Sequence, residues 1–220
     1  MKINRFEDKE AFIKKSVDAI VEICKNKKGR VYIALSGGKT PQPIYMLLGQ
    51  REDVDFSRID FFLVDERYVP LTHEDSNYRM MMDKLGRERG VRIHFFDTTL
   101  SIDRALSVYA DELETVPGGV FDLIILGIGT DGHVASLFPH SEALRAPGNL
   151  AITLTERFAV RERMTMTFSI IMKAKQLLLV AGPSKKDVLD EMIYSTKNVQ
   201  DLPAKKIIEN PGLIIHFLEN

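Results

Sequence analysis

The sequence predicts an α/β protein: a mostly parallel, twisted sheet with helices on both faces, and a small antiparallel β extension in the C-terminal third. Three observations predict it. Short apolar runs alternate with amphipathic segments of helical period through most of the chain, which is the pattern of βαβ units with parallel strands. The runs Val31–Leu35 and Leu123–Leu126 are apolar almost throughout, as strands covered on both faces must be. Several strands end in glycine or charge: Ser36-Gly37-Gly38, Asp65-Glu66-Arg67, Asp131-Gly132-His133, and Gly182 with Lys185. In a parallel sheet such ends share one edge, and ligands bind there.

Each element has its own warrant. Asp8 is placed to cap a helix running to about Lys27, with Ile13, Val17, Ile20, Val21 and Cys24 at helical spacing. The strand Val31–Leu35 is followed by Thr40 as N-cap and Pro41 as first helical residue, and a helix runs on through Leu48. Ile59–Val64 is the second strand and ends in Asp65-Glu66-Arg67. Asp75-Ser76-Asn77 caps a helix through Leu85, Val91–Phe96 is a third strand, and Ile102–Leu113 is a helix. Phe121–Gly127 is the central strand. Ala151–Thr155 and Arg163–Phe168 are joined by too short a link for a crossover helix, so they pair antiparallel. Leu177–Val180, a helix Asp187–Tyr194 and a closing strand Leu213–Phe217 complete the chain. The order is Rossmann-like, and residues 1–220 read as one domain without repeats, low-complexity segments or linkers.

Composition narrows the classes of function. A net charge of -1 with 28% charged residues argues against a general nucleic-acid binder. The 45% hydrophobic content is enough for a sizeable core. A single cysteine, Cys24, excludes an intrachain disulfide and fits a reducing cytosol. The N-terminus carries no signal-like apolar run, and no apolar stretch approaches the length of a membrane span. The expectation is a cytoplasmic protein with no membrane contact.

Two stretches carry the chemistry. The run Leu123–Leu126 empties into Gly127, Gly129 and Gly132, with Asp131 and His133 at the end of the turn. Asp131 alone could be a helix cap and His133 a solvent-facing ring. As a pair they read as a general base with an orienting carboxylate, since an imidazole titrates near neutral pH. The letters Gly127-Ile-Gly-Thr-Asp-Gly132 also match a dinucleotide fingerprint, but the strand is mid-chain and Pro139 interrupts the helix that should carry a pyrophosphate. The second stretch, Ser36–Pro41, could be a plain strand–helix turn. It also suits an anion, through the free amides of Gly37 and Gly38 at a helix start and the charge of Lys39. It is not a Walker A loop, because Ile33 stands where the first glycine belongs. Ala34–Gly38 nearly mimics a nucleophile elbow, which Ala34 and the two prolines that follow argue against.

Elsewhere, Arg67 could grip a phosphate through two hydrogen bonds, and Lys185 could do so as a point charge. Of the basic run Arg157, Arg161 and Arg163, only Arg163 is expected near the site. The five histidines show no metal-ligand spacing, so no metal is expected.

These segments resemble the 6-phosphogluconolactonases, within the larger family that also holds glucosamine-6-phosphate deaminases. The matching stretches are Ser36–Pro41, Asp65–Pro70, Asp75–Asn77, Leu126–Pro139, Arg163–Thr165 and Gly182–Lys185, in family order. The stretch Leu126–Pro139 is the specific one. Lys39, Thr130 and His140 depart from the family's usual serine, proline and glycine. The deaminase branch continues its Asp-Gly-His into a stretch bearing a glutamate, whereas Ala135–Pro139 has no acid. The resemblance implies hydrolysis of 6-phospho-D-glucono-1,5-lactone without a cofactor. His133 would activate water and Asp131 would orient it. Gly37, Gly38, Thr40, Asp65, Arg67, Arg163 and Lys185 would hold the substrate and its phosphate. A monomer or weak homo-oligomer is expected. An amino-sugar-phosphate deaminase and a non-catalytic sugar-phosphate sensor are the alternatives.

Overall fold

The computed structural model describes residues 1–86 and 90–220. In chain order the elements are β1 (Lys2–Phe6), α1 (Lys9–Asn26), β2 (Val31–Leu35), α2 (Gln42–Gly49), β3 (Ile59–Leu63), β4 (Asp65–Arg67), α3 (Asn77–Leu85) and β5 (Arg92–His94). They continue with α4 (Ile102–Leu113), β6 (Leu123–Leu126), β7 (Leu150–Leu154), β8 (Glu162–Met166), α5 (Phe168–Ile171), β9 (Leu177–Ala181), α6 (Lys186–Tyr194) and β10 (Leu213–Leu218).

Among the described residues the main sheet has seven strands, ordered β1-β10-β9-β6-β2-β3-β5. All its pairings are parallel. The chain moves across the sheet one way from β2 through β3 to β5, then returns the other way from β6 through β9 to β10. Right-handed crossovers therefore place α1, α2 and α3 on one face and α4 and α6 on the other. In agreement, α1 packs on α2 and α2 on α3. The reversal falls between neighbours β2 and β6, so a crevice opens beyond their carboxyl ends.

The strands are apolar for the expected reason. Every residue of β3, β6 and β9 is buried, and Ile33, Ala34, Phe61, Phe62, Leu123 and Ile124 are fully enclosed. The predicted antiparallel pair is present as β7 against β8, with Ala151 opposite Thr165.

Four expectations change. Asp65-Glu66-Arg67 is not the end of the second strand but a strand of the second sheet, ordered β4-β8-β7. Val64 makes the transfer: its amide donates to Leu35 O at 3.0 Å in the main sheet, and its carbonyl accepts from Met166 N at 2.8 Å. Thr40 does not cap α2. The helix starts at Gln42, with Pro41 in the cap position and no side-chain cap bond. The strand expected over Val91–Phe96 pairs only through Arg92–His94, as an edge strand. Finally, β1 was invisible, because its Lys2-Ile-Asn-Arg-Phe6 is half polar and pairs only with β10.

Candidate active site

The loops after β2 and β6 meet in one cavity of about 500 Å³, a size suited to a small ligand. Ser36–Pro41 line one side, and Gly127–Thr130 with His133 and Ala135 line the other. Asp65, Arg67, Asn77, Phe158, Arg163, Ser184 and Lys185 complete the wall. The structure thus brings together Gly37, Gly38, Thr40, Asp65, Arg67, Arg163 and Lys185 around His133.

The loop after β6 does not lead into a helix. It folds back on itself: Gly129 N donates to His133 O at 2.9 Å, and Gly132 N donates to Gly129 O at 2.9 Å. Gly132 sits at φ 82°, in the left-handed region that favours glycine. The doubled-back chain lays the His133 ring and the Asp131 carboxylate directly over Gly129, where a Cβ would collide with both. A residue with a side chain at that position would push the pair out of place.

His133 Nδ1 lies 2.5 Å from Asp131 Oδ1, which also accepts from His133 N at 3.3 Å. A carboxylate can only accept, so Nδ1 carries the hydrogen, and the neutral form of the ring has its lone pair on Nε2. Burial pushes the Asp131 carboxyl up, but the hydrogen bonds and charge of His133 and the charge of Arg157 outweigh it and hold it at about 2. The acid is therefore ionised at neutral pH. The ring packs on Phe138 at 4.7 Å and meets the Phe158 ring edge-on at 5.9 Å, centroid to centroid.

The opposite wall suits an anion. The register of β4 on β8 sets Arg67 directly opposite Arg163. Like charges so placed repel, and an anion between them would relieve the repulsion. Arg163 is buried beneath Phe158 and Phe138, with its Cζ 4.8 and 5.5 Å from their ring centroids. Burial works against its charge, and the Asp65 carboxylate supports it. Arg67 Nη1 donates to Asp75 O at 2.6 Å, while its buried Nε has no partner among the described residues. The amides of Gly37 and Gly38 have no acceptor among the described residues, and Thr40, released from capping, lines the cavity instead.

Asp65 is held rather than free: Ser136 Oγ donates to it at 2.6 Å and Asn77 Nδ2 at 3.4 Å. Its neighbour Glu66 is fully buried and accepts from the amides of Arg67, Asn77 and Tyr78, each at 2.8 Å, and from Ser76 Oγ at 3.2 Å. Burial raises the Glu66 carboxyl to about 7 against those amide donors. Glu66 thus ties β4 to the start of α3 and aims Arg67.

Sequence reasoning missed Glu66, Asn77, Ser136 and Phe158, and it placed Arg157 away from the site. Arg157 instead meets Asp131, its Nη1 3.1 Å from Oδ2. The basic run gave the signal for Arg157 but no means of ranking its arginines. Nothing in the sequence marks Glu66 as buried. His140 lies at φ 62°, which explains why glycine suits that position and costs this chain about 1 kcal/mol. Among the described residues no group of three or more His, Cys, Asp and Glu side chains is arranged to hold a metal ion. No described helix is long and apolar enough to cross a membrane.

Residues 7–215 match the model of a family described as glucosamine-6-phosphate isomerases/6-phosphogluconolactonase. The chain is 35% identical to a Dictyostelium discoideum protein named "Probable 6-phosphogluconolactonase", covering 98% of this chain and 94% of that one. It is 38% identical to a Synechocystis 6-phosphogluconolactonase, covering 88% of this chain and 83% of the relative. The crystal structure of a Thermotoga maritima 6-phosphogluconolactonase superposes with a TM-score of 0.87 at 30% identity, over 99% of this chain and 98% of that one.

Proposed function

The chain belongs to the glucosamine-6-phosphate isomerase/6-phosphogluconolactonase family, and from that premise we propose that it hydrolyses 6-phospho-D-glucono-1,5-lactone to 6-phosphogluconate. The observation that carries the reading is His133, 2.5 Å from Asp131 and on the wall of a cavity whose other walls are lined by cations and free amides.

The steps follow from the geometry. The phosphate sits among Arg67, Arg163, Lys185, Thr40 and the amides of Gly37 and Gly38, where charge-assisted hydrogen bonds hold it. The lactone carbonyl is thereby brought to His133. Nε2 takes a proton from water as the oxygen attacks C1. The imidazolium is stabilised by Asp131, which is already ionised. The ring C–O bond then breaks, and Nε2 returns the proton to the departing ring oxygen. An ester is activated enough for this route without a cofactor. The alternative deaminase chemistry lacks support in Ala135–Pro139, where no acid stands. Asp65, the carboxylate that lines the cavity, is occupied by Ser136 and Asn77.

A coupled assay on freshly made lactone, corrected for spontaneous opening, tests the reading. Turnover far above the uncatalysed rate is expected. Tight binding of 6-phosphogluconate with no hydrolysis would make the protein a sensor instead, and ammonia release from glucosamine 6-phosphate would make it a deaminase.

A further inference from the structure

The loop 155–161 between β7 and β8 contributes Phe158 to the cavity wall. It is closed at its base by Thr155 N donating to Arg161 O at 3.0 Å, and Arg157 N donates to Thr155 Oγ1 at 3.2 Å. Arg163 Nε reaches back to Val160 O at 3.3 Å. Two side chains of this loop touch the His133–Asp131 pair. Phe158 meets the His133 ring edge-on, and Arg157 Nη1 holds Asp131 Oδ2 at 3.1 Å. The Asp131 side chain is 10% exposed and that of Arg157 is 60% exposed, so the bridge runs from the interior out to water.

Asp131 thus has a separate partner on each oxygen: His133 on Oδ1 and Arg157 on Oδ2. The terminal torsion of a carboxylate is broad; both bonds from His133 fall on Oδ1, and a partner on Oδ2 as well fixes the plane. The other cations around the cavity do not serve here. Arg67 is bonded to Asp75 O and Arg163 to Val160 O, and among the described residues Arg157 is the cation paired with Asp131.

We propose that Arg157 is a positioning residue: by gripping the Asp131 oxygen that His133 does not use, it fixes the carboxylate plane, keeps the ring proton on Nδ1 and leaves Nε2 turned to the cavity. It acts through Asp131 and does not touch the substrate. The same contact ties the loop over the pair.

The kinetic arm of the test rests on the lactonase reading; the spectroscopic arm does not. Arg157→Gln, Arg157→Lys and Asp131→Asn, singly and combined, are compared in the full chain. Arg157→Gln should lower kcat about five-fold, the most an exposed pair transmits, with KM little changed and Arg157→Lys restoring most of the loss. On the Asp131→Asn background Arg157→Gln should cost nothing further. Nitrogen-15 NMR of the His133 imidazole should give the Nδ1–H tautomer in the wild type and a mixture in Arg157→Gln. A raised KM with unchanged kcat, an equal loss on both backgrounds, or an unchanged tautomer would overturn the proposal. If the wild type does not turn over the lactone, the proposed activity fails while the tautomer still decides the role of Arg157.

Discussion

The two glycine loops at the carboxyl edge follow neighbouring buried strands and end in different ways. Residues 36–41, after β2, lead into helix α2 and leave the amides of Gly37 and Gly38 unspent. Residues 127–133, after β6, lead into no helix. They turn back on themselves and are tied down from outside, by Ala204 N on Gly132 O at 2.9 Å. The first loop offers backbone donors and the field of a helix start, which suit an anion. The second offers side chains, held by a turn so tight that Gly129 lies beneath them. A glycine run therefore says only that the chain turns. Whether a helix or a tied turn follows decides between holding a ligand and reacting with it.

Substitutions should separate the two roles. His133→Ala strikes the second loop and should lower kcat by roughly 10²–10⁴-fold, the usual worth of a general base, with KM little changed. Near-normal turnover would remove His133 from the chemistry. Arg67→Ala or Lys185→Ala strikes the anion wall and should raise KM about tenfold with kcat held. A fall in kcat at constant KM would instead place these cations at the reacting carbon.

A change outside both loops should move stability and neither kinetic constant. His216 on β10 is 2% exposed and bonds Ser16 Oγ at 2.8 Å. Burial, then the charges of Lys15 and Lys2, lower it from 6.5 to about 4. The folded ring is neutral where the unfolded one is charged. Its contribution is therefore present above pH 6.5 and lost as pH falls towards 4. His216→Gln should abolish that loss, on the order of 3 kcal/mol, in denaturant melts at neutral and acid pH. Parallel pH curves for the two proteins would contradict the assignment.

The parts legible in the sequence are those that local pattern dictates. The apolar run Leu123–Leu126 and the amphipathic Ile102–Leu113 lie where periodicity puts them, because burial on both faces or one stripe leaves a direct imprint. Gly37, Gly38, Thr40, His133 and Lys185 were legible as cavity-lining residues because parallel strand ends converge on one edge. What escaped depends on distant partners. Asp65–Arg67 looks like a strand end until β8 pairs with it. Thr40 looks like a cap because hydroxyl before proline usually is one, yet α2 begins at Gln42. Glu66 reads as a surface charge until Asn77 and Tyr78 supply amides to it. Arg157 reads as a solvated arginine until loop 155–161 folds onto Asp131.

The division of labour between the two loops is tested most directly by kinetics on two substrates, the 6-phospholactone and the same lactone without its phosphate. The account predicts that His133→Ala lowers turnover of both, while Lys185→Ala weakens only the phosphorylated one. An equal loss on both substrates for Lys185→Ala, or unphosphorylated lactone turned over normally by His133→Ala, would contradict it.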